Sequence, residues 1–126
     1  MTARTVLVVD DDDSIREIAE IALELVGGLQ VLTASGGVEA LELTRKHLPD
    51  AVLMDVMMPD MDGLTTFRHM QGEEAIRHVP VILVTAKVQV GERQVWDGLA
   101  ISGVISKLFD PMTLAAEVGA MLGWGA

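Results

Sequence analysis

The chain has 126 residues, and half of them are hydrophobic, which is enough for one domain with a sizeable core. Nine lysines and arginines against 19 aspartates and glutamates give a net charge of -10, which argues against a nucleic-acid partner. The absence of cysteine excludes disulfides and thiolate chemistry, and neither a signal peptide nor a membrane-spanning run is recognisable. We therefore expect one cytoplasmic domain over residues 1–126 that does not insert into a membrane.

Five short apolar segments have the composition of strands that are covered on both faces. They are residues 5–9, 30–34, 51–55, 79–85 and 103–106.

The first segment of helical period follows residue 9. Ser14 and Glu17 predict a capping box at its start, and the pair Gly27-Gly28 predicts its end. Its apolar positions are predicted to share one buried face: Ile15, Ile18, Ala19, Ala22, Leu25 and Val26.

Two further helices are predicted in the middle of the chain. One covers residues 37–47, buries Val38 and Leu41 and ends before Pro49. The next begins at an Asp62 cap and carries Leu64 and Phe67.

The last third of the chain contains one weak and one strong helical pattern. Residues 88–99 predict a helix only weakly, because their apolar positions fit no single stripe. The final helix is predicted to have Asp110 at its cap and Pro111 at its first position. Its apolar face consists of Leu114, Ala115, Val118, Met121 and Leu122.

Strands that alternate with helices predict a doubly wound, five-stranded parallel sheet in a three-layer α/β/α domain. In such sheets, binding sites form beyond the carboxyl ends of the strands. Those ends carry Asp10, Asp11, Asp55, Thr85 and Lys107.

Three converging carboxylates repel one another unless a cation lies between them. An all-oxygen ligand set favours Mg²⁺, which retains several waters and binds phosphate oxygens. Asp55, beside Mg²⁺ and the Lys107 ammonium, is predicted to be a nucleophile that forms an aspartyl phosphate, while Thr85 and Lys107 meet the developing charge.

Each of these residues taken alone also has a purely structural interpretation. Asp55 and Thr85 are compatible with ordinary turn and strand positions, and Lys107 with a surface charge. Asp12 and Asp13 are interpreted as turn and cap residues, outside the site. The joint placement of the other residues at converging strand ends favours the functional interpretation.

Four motifs in order carry a family resemblance over essentially the whole chain. They are VVDDD, MDVMMPDMDG, VTA and SKLFDP, after or at strands one, three, four and five. The chain resembles the response-regulator receiver domains of two-component signalling. The resemblance implies a flavodoxin-like sheet and Mg²⁺ at Asp10, Asp11, Asp55 and the backbone carbonyl of Met57. It also implies that Asp55 is the phosphoacceptor, that Thr85 provides the switch hydroxyl and that Lys107 is the lysine of the family motif.

Three positions depart from the family pattern. Leu108 replaces the proline that usually follows the lysine, which puts the associated cis peptide in doubt. Val104 stands where the family usually carries tyrosine or phenylalanine, and Ala100 where glycine is common.

The resemblance implies a signalling switch, not an enzyme, that takes its phosphoryl group from a histidine kinase or a histidine phosphotransfer protein. One alternative is a pseudo-receiver that docks partners without phosphorylation. Another is an enzyme, either flavin-binding or a phosphatase with an aspartate nucleophile. Because the sequence ends just after the last helix, we expect output through contact with a downstream protein or through relay of the phosphoryl group, and not through DNA.

Overall fold

The computed structural model describes residues 3–59, 61–86 and 96–124. Within them, five parallel strands form one sheet in the order β2-β1-β3-β4-β5, which confirms the predicted flavodoxin-like architecture. The strands are β1 (Thr5–Val9), β2 (Gln30–Ala34), β3 (Ala51–Asp55), β4 (Val81–Thr85) and β5 (Gly103–Ser106).

Helices follow β1, β2, β3 and β5 and cover both faces of the sheet. They are α1 (Asp13–Ile21), which continues as a π-helix (Ala22–Val26), α2 (Gly37–His47), α3 (Gly63–Gln71) and α4 (Leu114–Leu122). Most of the weakly predicted helix at 88–99 lies outside the described residues, and its last four residues form a turn closed by Leu99 N–H and Trp96 C=O.

The core has two halves because successive strand residues point to opposite faces of the sheet. One half packs against α2 and α3, and the other against α1 and α4. The first includes Leu7, Val9, Val52, Met54, Leu83, Ala40, Leu41, Phe67 and Met70. The second includes Val6, Val8, Leu53, Ile82, Ile105, Ala19, Leu23, Leu114 and Val118.

The start of α1 differs from the predicted capping box. Asp12 is the cap, and its Oδ1 accepts hydrogen bonds from the backbone N–H groups of Ser14 (2.9 Å) and Ile15 (3.1 Å). A charged acceptor interacts more favourably than a hydroxyl with the positive end of the helix dipole, which favours Asp12 over Ser14. The interpretation of Asp12 as a cap outside the acidic site is confirmed.

The end of the first helical segment differs more strongly from its predicted burial. Leu25 is 81% exposed and Val26 47% exposed, whereas Leu23 is fully buried. The prediction that Leu25 and Val26 belong to the buried face is wrong because the chain forms a wider π-turn there. Each residue then advances less around the helix axis, so Leu25 is displaced from the face that holds Ala22. Ile18, also predicted to be buried, is 46% exposed.

α2 and α3 agree with their predicted ends, with one error in burial. Asp62 caps α3 by accepting a hydrogen bond from Thr65 N–H at 2.7 Å, as predicted. Leu41 and Phe67 are buried, but Val38 is 58% exposed. The buried face of α2 is centred on Gly37, whose missing Cβ would lie 2.3 Å from Thr66 Oγ1. Val38, the next residue, is therefore turned toward solvent.

Two other elements begin later than predicted. β4 starts at Val81 and not at residue 79, because Pro80 has no N–H for the ladder. α4 starts at Leu114 after Thr113, and not at Pro111. Asp110 caps a preceding turn instead, where its Oδ1 accepts from Met112 N–H at 2.9 Å.

The three departures from the family pattern lie near the end of the sheet. Leu108 is 91% exposed, and the described residues contain no cis peptide bond. Val104 is half-buried in β5, and Ala100 is exposed. Across the described ranges, no helix combines the length and apolarity that crossing a bilayer requires.

Candidate functional site

Backbone hydrogen bonds position the predicted site residues at one edge of the sheet. Asp55 ends β3 and Thr85 ends β4, while Asp10 and Lys107 follow β1 and β5. The ladder continues past two of the strands, because Asp10 N–H donates to Ala34 C=O (3.1 Å) and Lys107 N–H donates to Thr85 C=O (2.8 Å). The side chains therefore project from a rigid frame.

Three carboxylates converge at this edge. One oxygen from each of Asp10, Asp11 and Asp55 lies within 4.8 Å of the others. Asp10 and Asp55 are only 3% and 1% exposed, whereas Asp11 is exposed. The cluster is therefore a buried acidic pair with its third member facing solvent, which leaves it open to a ligand from one side.

Lys107 is a cation that contacts this cluster. Its Nζ lies 3.0 Å from Asp55 Oδ2 and 3.6 Å from Asp10 Oδ2. Burial alone lowers the pKa of Lys107, but the hydrogen bond to Asp55 and the charges of Asp55, Asp10 and Asp11 outweigh it, so its pKa is raised. Lys107 is therefore positively charged at neutral pH.

The environment of Asp55 opposes its ionisation. Burial raises the pKa of Asp55 to about 6, assisted by the charge of Asp10. The hydrogen bond and charge of Lys107 act in the opposite direction, as does the N–H of Met57, which donates to Asp55 Oδ1 at 3.2 Å. Additional positive charge at the cluster would therefore favour the carboxylate form.

Three further residues also hold the site in place. Arg16 donates from Nη1 to the Asp10 carbonyl at 2.8 Å, and Asp10 Oδ1 accepts from Asp12 N–H at 2.8 Å. A Cβ on Gly63 would lie 2.2 Å from the Asp55 carbonyl oxygen, so only glycine lets α3 approach β3 so closely. Arg16 has no sequence signal, whereas the Asp-Gly pair at 62–63 marks a turn.

The remaining two predicted residues lie beside the cluster. Thr85 is 7% exposed at the end of the strand next to β3. Met57 is 74% exposed and lies two residues after Asp55. The structure thus places all six predicted residues at one edge of the sheet, while the role of the Met57 carbonyl stays a prediction.

The donor set of the cluster fits a hard divalent cation. Its ligands are carboxylate oxygens, and Lys107 balances only part of their charge. Hard cations bind such oxygens, and an exposed carboxylate leaves room for water or phosphate in the remaining positions. The fold and the cluster together define a doubly wound domain with an acidic cluster at the carboxyl edge of its sheet.

Comparisons with known proteins assign this class to a family. The family model of the response regulator receiver domain matches residues 6–119. The chain therefore belongs to that family. Receivers are generally non-enzymatic signalling modules that accept phosphoryl groups, so a flavin-binding or phosphatase enzyme is not supported.

Individual relatives agree with that assignment. The chain is 38% identical to the probable transcriptional regulator ycf27 of Guillardia theta over 96% of its length. It is 33% identical to the polar-differentiation response regulator DivK of Brucella ovis, covering 72% of this chain and 73% of DivK. A crystal structure of a putative response regulator from Chloroflexus aurantiacus matches with a TM-score of 0.86 and 30% identity, covering 97% of this chain and 99% of that one.

The chain covers only part of the length of some relatives. It spans 46% of the length of ycf27 and 26% of the response regulator PleD of Caulobacter vibrioides. The family assignment therefore concerns the receiver unit and leaves open what a longer protein would do with it.

Proposed function

We propose that Asp55 is the phosphoacceptor of this receiver and that phosphorylation there changes its contacts with partner proteins. The observation that carries the proposal is the contact between a nearly fully buried Asp55 and Lys107 Nζ at 3.0 Å, within a cluster of three carboxylates. A structural aspartate does not need a half-buried lysine and two acidic neighbours.

The transfer requires little covalent chemistry from the protein. A carboxylate oxygen of Asp55 attacks the phosphorus of a phosphohistidine and forms the P–O bond as the P–N bond breaks. The donor imidazole leaves with the electron pair of that bond, and the proton on its other ring nitrogen makes it neutral. Lys107 stabilises the charge on the phosphoryl oxygens by position and electrostatics.

The cation of this site is proposed to be Mg²⁺, held by Asp10, Asp11, Asp55 and the carbonyl of Met57. When bound, Mg²⁺ supplies charge neutralisation at the acidic cluster and at the phosphoryl oxygens. Asp12 N–H donates to Asp10 Oδ1 and Arg16 donates to the Asp10 backbone carbonyl, so both would restrain Asp10 at the cation. The same groups would assist hydrolysis of the aspartyl phosphate, so the receiver would promote both its own phosphorylation and its dephosphorylation.

Thr85 is proposed to report the phosphoryl group to the rest of the fold. It ends the strand beside Asp55, and its carbonyl oxygen accepts the N–H of Lys107. Movement of its hydroxyl toward a phosphoryl oxygen would therefore alter the same strand ends that hold Lys107. The donor is proposed to be a histidine kinase or a histidine phosphotransfer protein, and the output a contact with a downstream protein.

Intact mass spectrometry tests the proposal directly. Incubation with acetyl phosphate should add one phosphoryl group in the presence of Mg²⁺ and none in its absence. Asp55→Ala should abolish the gain, whereas Asp50→Ala, at an exposed carboxyl, should retain it. A phosphoryl group on the Asp55→Ala protein would refute the assignment. No gain in the wild type would favour the pseudo-receiver.

The cation is tested separately by a pair of matched substitutions. Asp11→Ala removes one negative charge from the cluster, and Asp13→Ala removes one from an exposed residue that pairs with Arg16 outside it. We expect Asp11→Ala to weaken Mg²⁺ binding by about tenfold or more, measured by NMR titration, and Asp13→Ala to have little effect. Equal affinities in the two variants would exclude Asp11 as a ligand.

A further inference from the structure

The chain around Lys107 has little side-chain packing on its far side. Leu108, the next residue, is 91% exposed. Lysine has a flexible four-carbon stem, yet the Lys107 Nζ lies 3.0 Å from Asp55 Oδ2 and 3.6 Å from Asp10 Oδ2. Two ion pairs at these distances require a defined direction of the side chain. The backbone on both sides of Lys107 therefore has to supply the restraint that packing at position 108 does not.

Hydrogen bonds hold the peptide groups on both sides of Lys107. The Lys107 N–H donates to Thr85 C=O at 2.8 Å, which holds the peptide group before it. The Leu108 N–H donates to Ser106 Oγ at 3.1 Å, which holds the peptide group after it. Peptide groups are planar, so each residue has only two soft backbone dihedrals, and restraining both neighbouring groups restrains both dihedrals. The direction of the Lys107 side chain thus depends on these two bonds.

Ser106 offers its hydroxyl from a firm position in the sheet. It is the last residue of β5, is half-buried and pairs with Thr85 of β4. Position 108 usually carries proline in the family pattern, and proline has no N–H to donate. Because this chain has Leu108 there, the Ser106 hydroxyl gains a partner in the segment after β5. The contact is therefore a feature of this chain's own sequence.

We propose that Ser106 is a positioning residue, which directs the Lys107 ammonium toward Asp55 through its bond to the Leu108 N–H. Ser106 acts through Lys107 and not by contact with the reacting atoms. The kinetic consequence rests on the proposed role of Asp55 as phosphoacceptor. Loss of the restraint should slow phosphoryl transfer, because transfer depends on a positive charge placed at the phosphoryl oxygens.

The test uses three variants and one matched control. Ser106→Ala removes the acceptor, Ser106→Thr keeps a hydroxyl, and Leu108→Pro removes the donor. The control is Ser102→Ala, which makes the same change just before β5 begins, at the opposite end of the strand from Lys107. Thermal unfolding of each variant establishes that it folds.

Two NMR measurements in the presence of EDTA examine the restraint without phosphorylation. They are the rate of amide hydrogen exchange at Leu108 and the order parameter of the Lys107 Cε group, with the exposed Lys46 as internal reference. We expect Ser106→Ala to accelerate the exchange about threefold or more and to lower the order parameter toward that of Lys46. Ser106→Thr should restore both wild-type values. Unchanged values in Ser106→Ala, or no restoration by Ser106→Thr, would overturn the proposal.

The phosphorylation rate and a double-mutant cycle complete the test. With acetyl phosphate and Mg²⁺, Ser106→Ala should slow phosphorylation about threefold or more, and Ser102→Ala by less than about twofold. In the Leu108→Pro protein, which has no N–H to donate, Ser106→Ala should leave the Lys107 order parameter unchanged. An unchanged rate in Ser106→Ala, or the same loss of order in both backgrounds, would overturn the proposal. A wild type that is never phosphorylated would contradict the role of Asp55, while the NMR measurements still decide the role of Ser106.

Discussion

At the scale of single residues, the neighbours of Asp55 shift its pKa in opposite directions. Burial and the carboxylate of Asp10 favour its protonated form, while Lys107 and the N–H of Met57 favour its charged form. The result is a pKa of about 6, above the ordinary value of 3.8 for an aspartate. The carboxylate is thus destabilised at neutral pH, which favours its pairing with a cation.

This balance predicts a pH dependence of stability in the presence of a chelator. Because the folded pKa is raised, the contribution of Asp55 to stability is fully present below about pH 4 and is lost as the pH rises through about 6. Asp55→Asn cannot ionise, so its free energy of unfolding should exceed that of the wild type increasingly from pH 4 to pH 7, by up to about 3 kcal/mol. Urea unfolding at several pH values measures the difference.

Asp50→Asn provides the control for that experiment. It changes an exposed carboxyl at the start of the sheet and leaves Asp55 intact, so the wild-type pH dependence should persist. Saturating Mg²⁺ should reduce the advantage of Asp55→Asn, because it stabilises the charged carboxylates. A constant difference between Asp55→Asn and the wild type across this pH range would contradict the account of Asp55.

At the scale of elements, the junction between β3 and α3 depends on one glycine. Gly63 N–H donates to Val56 C=O at 3.0 Å, and a Cβ at Gly63 would lie 2.2 Å from the Asp55 carbonyl oxygen. Backbone atoms cannot rotate away like the end of a flexible side chain. We expect Gly63→Ala to lower the free energy of unfolding by about 1–3 kcal/mol and to slow phosphorylation by displacing Asp55.

The matched control is Gly72→Ala at the other end of α3. There the nearest atoms to a new Cβ, the carbonyl oxygens of His69 and Arg68, are 3.5 and 3.7 Å away, in ordinary contact. Gly72 has φ -80, which alanine adopts freely, so the change should stabilise the fold by about 0.4–1 kcal/mol. Chemical denaturation of both variants provides the comparison, and equal effects would show that the close approach at Gly63 has no consequence.

Val104 in β5 leads to a prediction about coupling. The family resemblance implies that an aromatic ring at this position would move into space freed by the threonine, whereas a small β-branched side chain packs similarly in either position. We expect beryllofluoride and Mg²⁺ to draw Thr85 toward the site while residues farther along β5 respond weakly. Large NMR shifts at Trp96 and residues 102–106 that Thr85→Ala removes would contradict this expectation.

The sequence predicted strands better than helix ends, for physical reasons. Apolar runs predicted the exact bounds of β1, β2, β3 and β5. The remaining strand, β4, starts two residues later than predicted, after Pro80. Helix starts depend on which residue caps the first free N–H groups. Asp12 caps α1 in place of Ser14, whereas α4 begins after Thr113 without a side-chain cap, because Asp110 caps the preceding turn. The exposure of Leu25 depends on a π-turn, for which the sequence has no clear signal. The site was predictable because parallel strands bring their carboxyl ends together.

At the scale of the whole molecule, the topology gathers the interacting charges at one edge of the fold. The acidic cluster lies at the carboxyl edge of the sheet, where Lys107 contacts Asp10 and Asp55. This edge is proposed to accept a phosphoryl group. The cluster consists of residues of the receiver unit itself, so the proposal applies in a longer protein as well.

Chemical mapping of the phosphoryl group tests the central claim most directly. The protein is phosphorylated with acetyl phosphate and Mg²⁺, and borohydride then reduces the acyl phosphate, which converts a phosphorylated aspartate to homoserine. Peptide mass spectrometry identifies the converted residue. Homoserine at position 55, and at neither position 10 nor position 11, is the expected result. Conversion at Asp10 or Asp11, or a phosphoryl group retained on Thr85 or a histidine with Asp55 unmodified, would contradict the account.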